Sequence, residues 1–93
     1  IGYGTLEAIQ DGVDNIAIGY DAGDTIVDGD KNIIIGFESD VQEDGSNRVA
    51  LGNSITVNDD NTTVIGNTEI ILDAAGDITL DAGGGDLIIS GAR

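Results

Sequence analysis

Residues 14–37 read DNIAIGYDAGDTIVDGDKNIIIGF, in which an apolar triplet ends in Gly and is followed by an aromatic residue, twice over. Aligned on that glycine, Gly2, Gly19, Gly36, Gly52 and Gly66 form one column at spacings of 17, 17, 16 and 14 residues. Ile1, Ile18, Ile35, Leu51 and Ile65 stand one residue before it, and Ile16, Ile33, Val49 and Thr63 stand three before it. Positions two apart lie on one face of a strand, so each repeat predicts one short strand with these two columns turned inward. The column between them, Ala17, Ile34, Ala50 and Val64, is then expected to point outward and to need cover from another chain.

Turn signals separate the strands. Asp-Gly pairs at Gly12, Gly29 and Gly45 lie seven residues upstream of three column glycines, and Asn15 and Asn32 sit just before their strands. Asp-Gly followed by a β-branched run reads as turn and then strand. A weaker apolar pair recurs between strands, at Leu6 and Ile9, Ile26 and Val27, Val41, then Ile55 and Val57. Two short strands and two turns per repeat, at about 3.3 Å per extended residue, trace a path long enough to close once around a thin interior. The repeat is therefore expected to be one coil, or rung, of a β-roll.

After residue 69 the period changes. IILDAAGD, ITLDAGGGD and LIISG shorten the repeat to eight or nine residues, marked by Leu72, Leu80 and Ile89. Eight residues extend roughly 26 Å, too short to circle a filled interior and return. Three chains winding together, each giving one strand per layer with turns at residues 75–77 and 83–86, would close such a layer. The expected fold is all-β, a homotrimeric β-roll or β-solenoid over residues 1–69 followed by a triple-stranded β-helix over 70–93.

Composition narrows the chemistry. The 93 residues hold 15 Gly, no Pro, Cys, His, Met or Trp, and three aromatics. Without His or Cys there is no usual zinc site, thiol nucleophile, Ser-His-Asp triad or disulfide framework. Eighteen acidic against three basic residues give a net charge of −15, which repels nucleic acid and anionic membrane surfaces. No apolar run approaches the roughly twenty residues that span a bilayer, so membrane insertion is not expected. The absence of an initiator Met leads us to expect a piece of a longer chain.

The strings NIAIGYDAG, NIIIGF and NRVALGNS resemble the rungs of phage tail-fibre shafts and of the heads of trimeric autotransporter adhesins. Residues 61–91, NTTVIGNTEIILDAAGDITLDAGGGDLIISG, resemble a segment of cyanophage-like tail fibres, and their period resembles the triple-stranded β-helix of phage puncturing spikes. Rungs that drift in length and carry Tyr20 and Phe37 after the glycine favour the phage fibre over the bacterial surface adhesin. The resemblance implies a virion structural protein acting in host attachment. Its partners would be two further copies of itself and other fibre or tail proteins, with any host surface glycan bound through other regions.

No catalytic, cofactor-binding or metal-ligating residue is expected, and no cofactor. Asp28, Asp30 and Asn32 imitate the first calcium ligands of an EF-hand loop, but Ile33 stands where the loop needs Gly and Ser39 where it needs Glu. GGGDLI at residues 83–88 lacks the spacing of the calcium-binding nonapeptide. The glycines of GYG at residues 2–4 are followed by no phosphate-binding Lys-Ser/Thr pair. Eighteen acids place some pair at a glycosidase-like separation, yet one Phe, two Tyr and no Trp leave little to stack a sugar upon. Tyr20 and Phe37 occupy equivalent positions and form a candidate aromatic ladder, either packing between rungs and chains or exposed to glycan.

Overall fold

The predicted triplets are strands. In the computed structural model, which describes residues 1–66 and 68–91, β1 (Ile16–Ile18), β2 (Ile33–Ile35), β3 (Val49–Leu51) and β4 (Thr63–Ile65) form one parallel sheet in chain order. Asn67, Ala92 and Arg93, which the domain reading takes in, lie outside the described residues. Ile16 pairs with Ile33, Ile33 with Val49, and Val49 with Thr63, so the glycine spacing read from the sequence is the strand register. Among the described residues the fold is strand and turn with no helix, so none could cross a membrane as a helix. The all-β class therefore holds.

One hydrogen-bond pattern repeats at every step. The amide of each column glycine donates to the residue ending the preceding triplet: Gly19 to Ile1, Gly36 to Ile18, Gly52 to Ile35 and Gly66 to Leu51, at 2.7–2.9 Å. The chain then turns sharply, with φ of 131° at Gly19 and 144° at Gly36. A Cβ at either position would also overlap the carbonyl oxygen of the next column glycine. Glycine recurs there because neighbouring rungs leave no room and the backbone lies outside the region open to other residues.

The inward and outward columns are the reverse of the sequence expectation. Ala17, Ile34 and Ala50 are buried, while Ile16, Ile18, Ile33 and Ile35 lie on the exposed face. The core is Ala17, Ala22, Ile26, Ile34, Val41, Ala50, Ile55 and Val57, with Leu6, Ile9 and Val64 packed against it. The reason is width. A coil of 14–17 residues encloses a gap that is filled from both walls, so a large side chain on one wall meets a small one elsewhere. The alternation Ala17, Ile34, Ala50, Val64 fits that gap, and two full columns of Ile would overfill it.

The opposite wall comes from the connections, without the second strand expected there. Ile26, Val41, Ile55 and Val57 do point inward, but the only β-pairing outside the sheet among the described residues is the bridge Asp40–Thr56. The connections absorb the shortening from 17 to 14 residues, so a ladder across them has no constant register. Residues 68–91 contain no strand; Leu72, Leu80 and Ile89 are exposed, the last at 87%. The turn at residues 83–85 is present, its amides bonded to Asp81 Oδ1 and the Ala82 carbonyl.

Candidate functional site

Three features of the surface carry chemistry, and the first is polar. Along the stack, side chains of one rung bond the backbone of the next. Asn15 donates to the Gly29 carbonyl at 2.7 Å and accepts from the Asn32 amide at 2.9 Å. Asn32, fully buried, repeats this with the Gly45 carbonyl at 2.6 Å and the Arg48 amide at 3.0 Å. A second file runs from the Val13 amide to Asp30 Oδ1 and from the Ser46 amide to Asp60 Oδ1. A third uses Ser39, which donates to Gly52 and accepts from Ile55. Stacked parallel strands place equivalent backbone groups above one another, so a short amide or hydroxyl spans each step.

The oxygens of the calcium-like triplet are partly engaged elsewhere. The Asn32 carboxamide and one Asp30 oxygen are committed between rungs, while Asp28 stands apart on an exposed turn. Among the described residues no group of three acids is arranged to hold a metal ion.

Arg48 takes the third place in the asparagine file, and sequence reasoning missed it. Only 8% exposed, it donates from Nη1 to the carbonyls of Val41 at 2.5 Å and Val57 at 2.8 Å. Its Nε and Nη2 fork onto Asp60 Oδ1 at 2.9 and 2.7 Å. The Ser46 amide, then Arg48, hold the Asp60 carboxyl below the usual carboxylate range. The available signal was positional, since Arg48 follows Asn15 and Asn32 at the rung spacing. Beside it opens a cavity of about 630 Å³ lined by Thr25, Gln42, Glu43, Asp44, Gly45, Arg48 and Asp60. Arg48 has spent its inward donors on carbonyls and its fork on Asp60, so Glu43 and Asp44 are the charged groups of the wall that it leaves unengaged.

Asp24 and Asp40 are neighbouring carboxyls. Partial burial, then the neighbouring Asp40 and Asp21, push the Asp24 carboxyl up. Asp40 is already held by the Thr25 hydroxyl and the Val41 amide. Neither acid lines the cavity beside Arg48.

The second feature is an aromatic ladder one rung longer than expected. Tyr3, Tyr20 and Phe37 stack with ring centroids 5.6 and 5.4 Å apart and planes 12° and 18° from parallel. These are offset stacks, in which ring faces are turned on one another and the edges are left outside. Both faces of Tyr20 are turned on a neighbouring ring, which supports packing as the role of the ladder. The Asp21 charge foremost, then slight desolvation, raises the Tyr20 phenol pKa.

The third feature is the strand face. Ile16 and Ile65 are 52% and 53% exposed, with Ile18, Ile33 and Ile35 between them, and no strand residue of β1–β4 is charged. All 18 acids lie elsewhere in the chain. An exposed, repeated apolar face without charge marks an interaction surface. No family model, curated protein or solved structure matches the chain.

Proposed function

We propose that this chain is a structural shaft segment of a homotrimeric virion tail fibre acting in host attachment. In this reading residues 1–69 are a β-roll that fixes length and stiffness, and residues 70–93 wind with two other copies into a triple-stranded β-helix. The observation that carries it is the pairing of two unfinished surfaces in one chain. The parallel rungs leave an apolar face uncovered, and the triplets Ile70–Leu72, Ile78–Leu80 and Leu87–Ile89 stand exposed without strand partners. A shaft supplies the missing chains. Its other partners are fibre or tail proteins at either end, and host glycan is bound in other regions, because here the turns are short, acidic and regular.

Light scattering coupled to size exclusion tests the reading on the full chain. Three copies per particle, with β-signal rising as copies associate, is the expected result. A folded monomer that persists at micromolar concentration overturns it.

A further inference from the structure

We infer that copies of this chain meet through the exposed face of β1–β4, the columns of Ile16, Ile18, Ile33, Ile35, Leu51 and Ile65, and that the occupant of this face is the same face of another copy. The inference rests on the fibre reading and names its contact surface, which is the opposite side of the strands from the one the sequence pattern suggested.

Three observations select a second copy as the occupant. The first is charge: with 18 acids and a net −15 spread over the turns and connections, two copies approaching by any other side bring carboxylates together. The strand face is where they meet without that repulsion. The second is period. Rungs of a parallel sheet rise by about 4.8 Å, so the Ile columns form ridges at that step. A second copy presents ridges at the identical step and stays in register over the whole sheet. The third is continuity. The apolar side chains of residues 70–89 follow β4 in the chain after four residues and are exposed as well, so one line of contact between copies would cover both segments.

The test compares the full chain with Ile18→Gln/Ile35→Gln on the face and Val13→Gln off it, Val13 being exposed beside the acidic turns. Sedimentation equilibrium gives the association constant, and hydrogen exchange at the Gly36 and Gly52 amides reports whether the rungs persist. Each substitution recurs in every copy, so removing two apolar side chains per copy is expected to weaken association by about a hundredfold for each copy joined, about a factor of ten per side chain, with Val13→Gln unchanged. Equal association of the face variant and the parent overturns the face and leaves the fibre reading standing through residues 70–91. Particles of two copies that dissociate on the face substitutions support the face and overturn the trimer. A parent that never associates overturns both. Should the face variant unfold, single cysteines decide: Ile35→Cys is expected to cross-link between copies with a short bismaleimide and Val13→Cys is not, and the reverse result overturns the inference.

Discussion

Replacing Arg48 with Ala removes a buried cation that joins the third and fourth rungs. Two acceptors lose their donor at once, the Val41 carbonyl at 2.5 Å and the Val57 carbonyl at 2.8 Å, both on fully buried residues. A buried acceptor left unpaired costs about 1–3 kcal/mol. The cavity of about 630 Å³ beside Arg48 lets water reach the gap, which holds each loss near the lower end. Two carbonyls at ~1 kcal/mol each give about 2 kcal/mol, which for a chain of this size lowers Tm by roughly 8–16 °C. The fork onto Asp60 adds little, because that carboxylate is 54% exposed and water replaces the guanidinium. Arg48→Lys keeps donors for the carbonyls and loses only the planar fork, so it should fall between Ala and the parent. Urea unfolding followed by circular dichroism, at fixed chain concentration because association shifts the midpoint, ranks the variants. The expected order of loss is Arg48→Ala, then Arg48→Lys, then Asp60→Asn. If Arg48→Ala loses no more than Asp60→Asn, the carbonyl bonds contribute nothing and the reasoning fails.

Ile34→Ala should cost about 3 kcal/mol through the void it leaves, while Ile33→Ala in dissociated chains costs distinctly less; equal losses in thermal melts would contradict the inside-out assignment of the columns. Glu38 sits at φ 51° in the column that begins with Gly4, so Glu38→Gly should raise stability by about 0.5 kcal/mol as relief of left-handed strain exceeds the added chain entropy, read as a higher urea midpoint. On acidification two aspartates act oppositely. Asp24, raised by burial and then by Asp40 and Asp21, holds its proton more tightly when folded, so its contribution grows as pH falls from 7 through its raised value towards about 4. Asp60, lowered by the Ser46 amide and Arg48, lends stability above about pH 4 that is lost as pH falls through its folded value. Asp24→Asn should therefore abolish the rise and Asp60→Asn reduce the fall in urea midpoints taken from pH 7 to 2; profiles identical to the parent would contradict both assignments.

Register was legible because the glycine column states it: Gly19, Gly36 and Gly52 must lie above one another, and the strands before them follow. The facing of those strands was not legible from alternation, since columns of both parities are apolar. Period two says which residues share a face and leaves open which face is inside. The deciding information is size, as the mixed Ala17, Ile34, Ala50, Val64 column fits a narrow gap filled from both sides, whereas the nearly uniform Ile columns fit a ridge. Arg48 was illegible for a related reason. An Arg in so acidic a chain reads as a surface charge, and its burial follows only from standing above Asn32 in a file of inter-rung bonds.

That file also shows what the shortening of the rungs does. In the first two steps an asparagine reaches the Asp-Gly turn of the next rung, at Gly29 and Gly45. The fourth rung is 14 residues long and has Asp59 where Gly12, Gly29 and Gly45 stood. No glycine carbonyl is presented there, and Arg48, with a longer side chain, reaches instead to Val57 and back to Val41. The interior shrinks with the perimeter: Ile34 and Ala50 are fully buried, but Val64, their counterpart in β4, is half-buried. The chain thus moves stepwise from a coil that covers its own interior to residues 70–91, whose large apolar side chains it leaves about half or more exposed. In the fibre reading this taper hands the core from one chain to three, so each residue lost from a rung shifts stability from the single chain to the assembly. Lengthening the fourth rung back to 16 or 17 residues, with an Asp-Gly turn restored and Arg48→Asn, would then strengthen the coil within the chain while displacing the point at which the three chains begin to share a core.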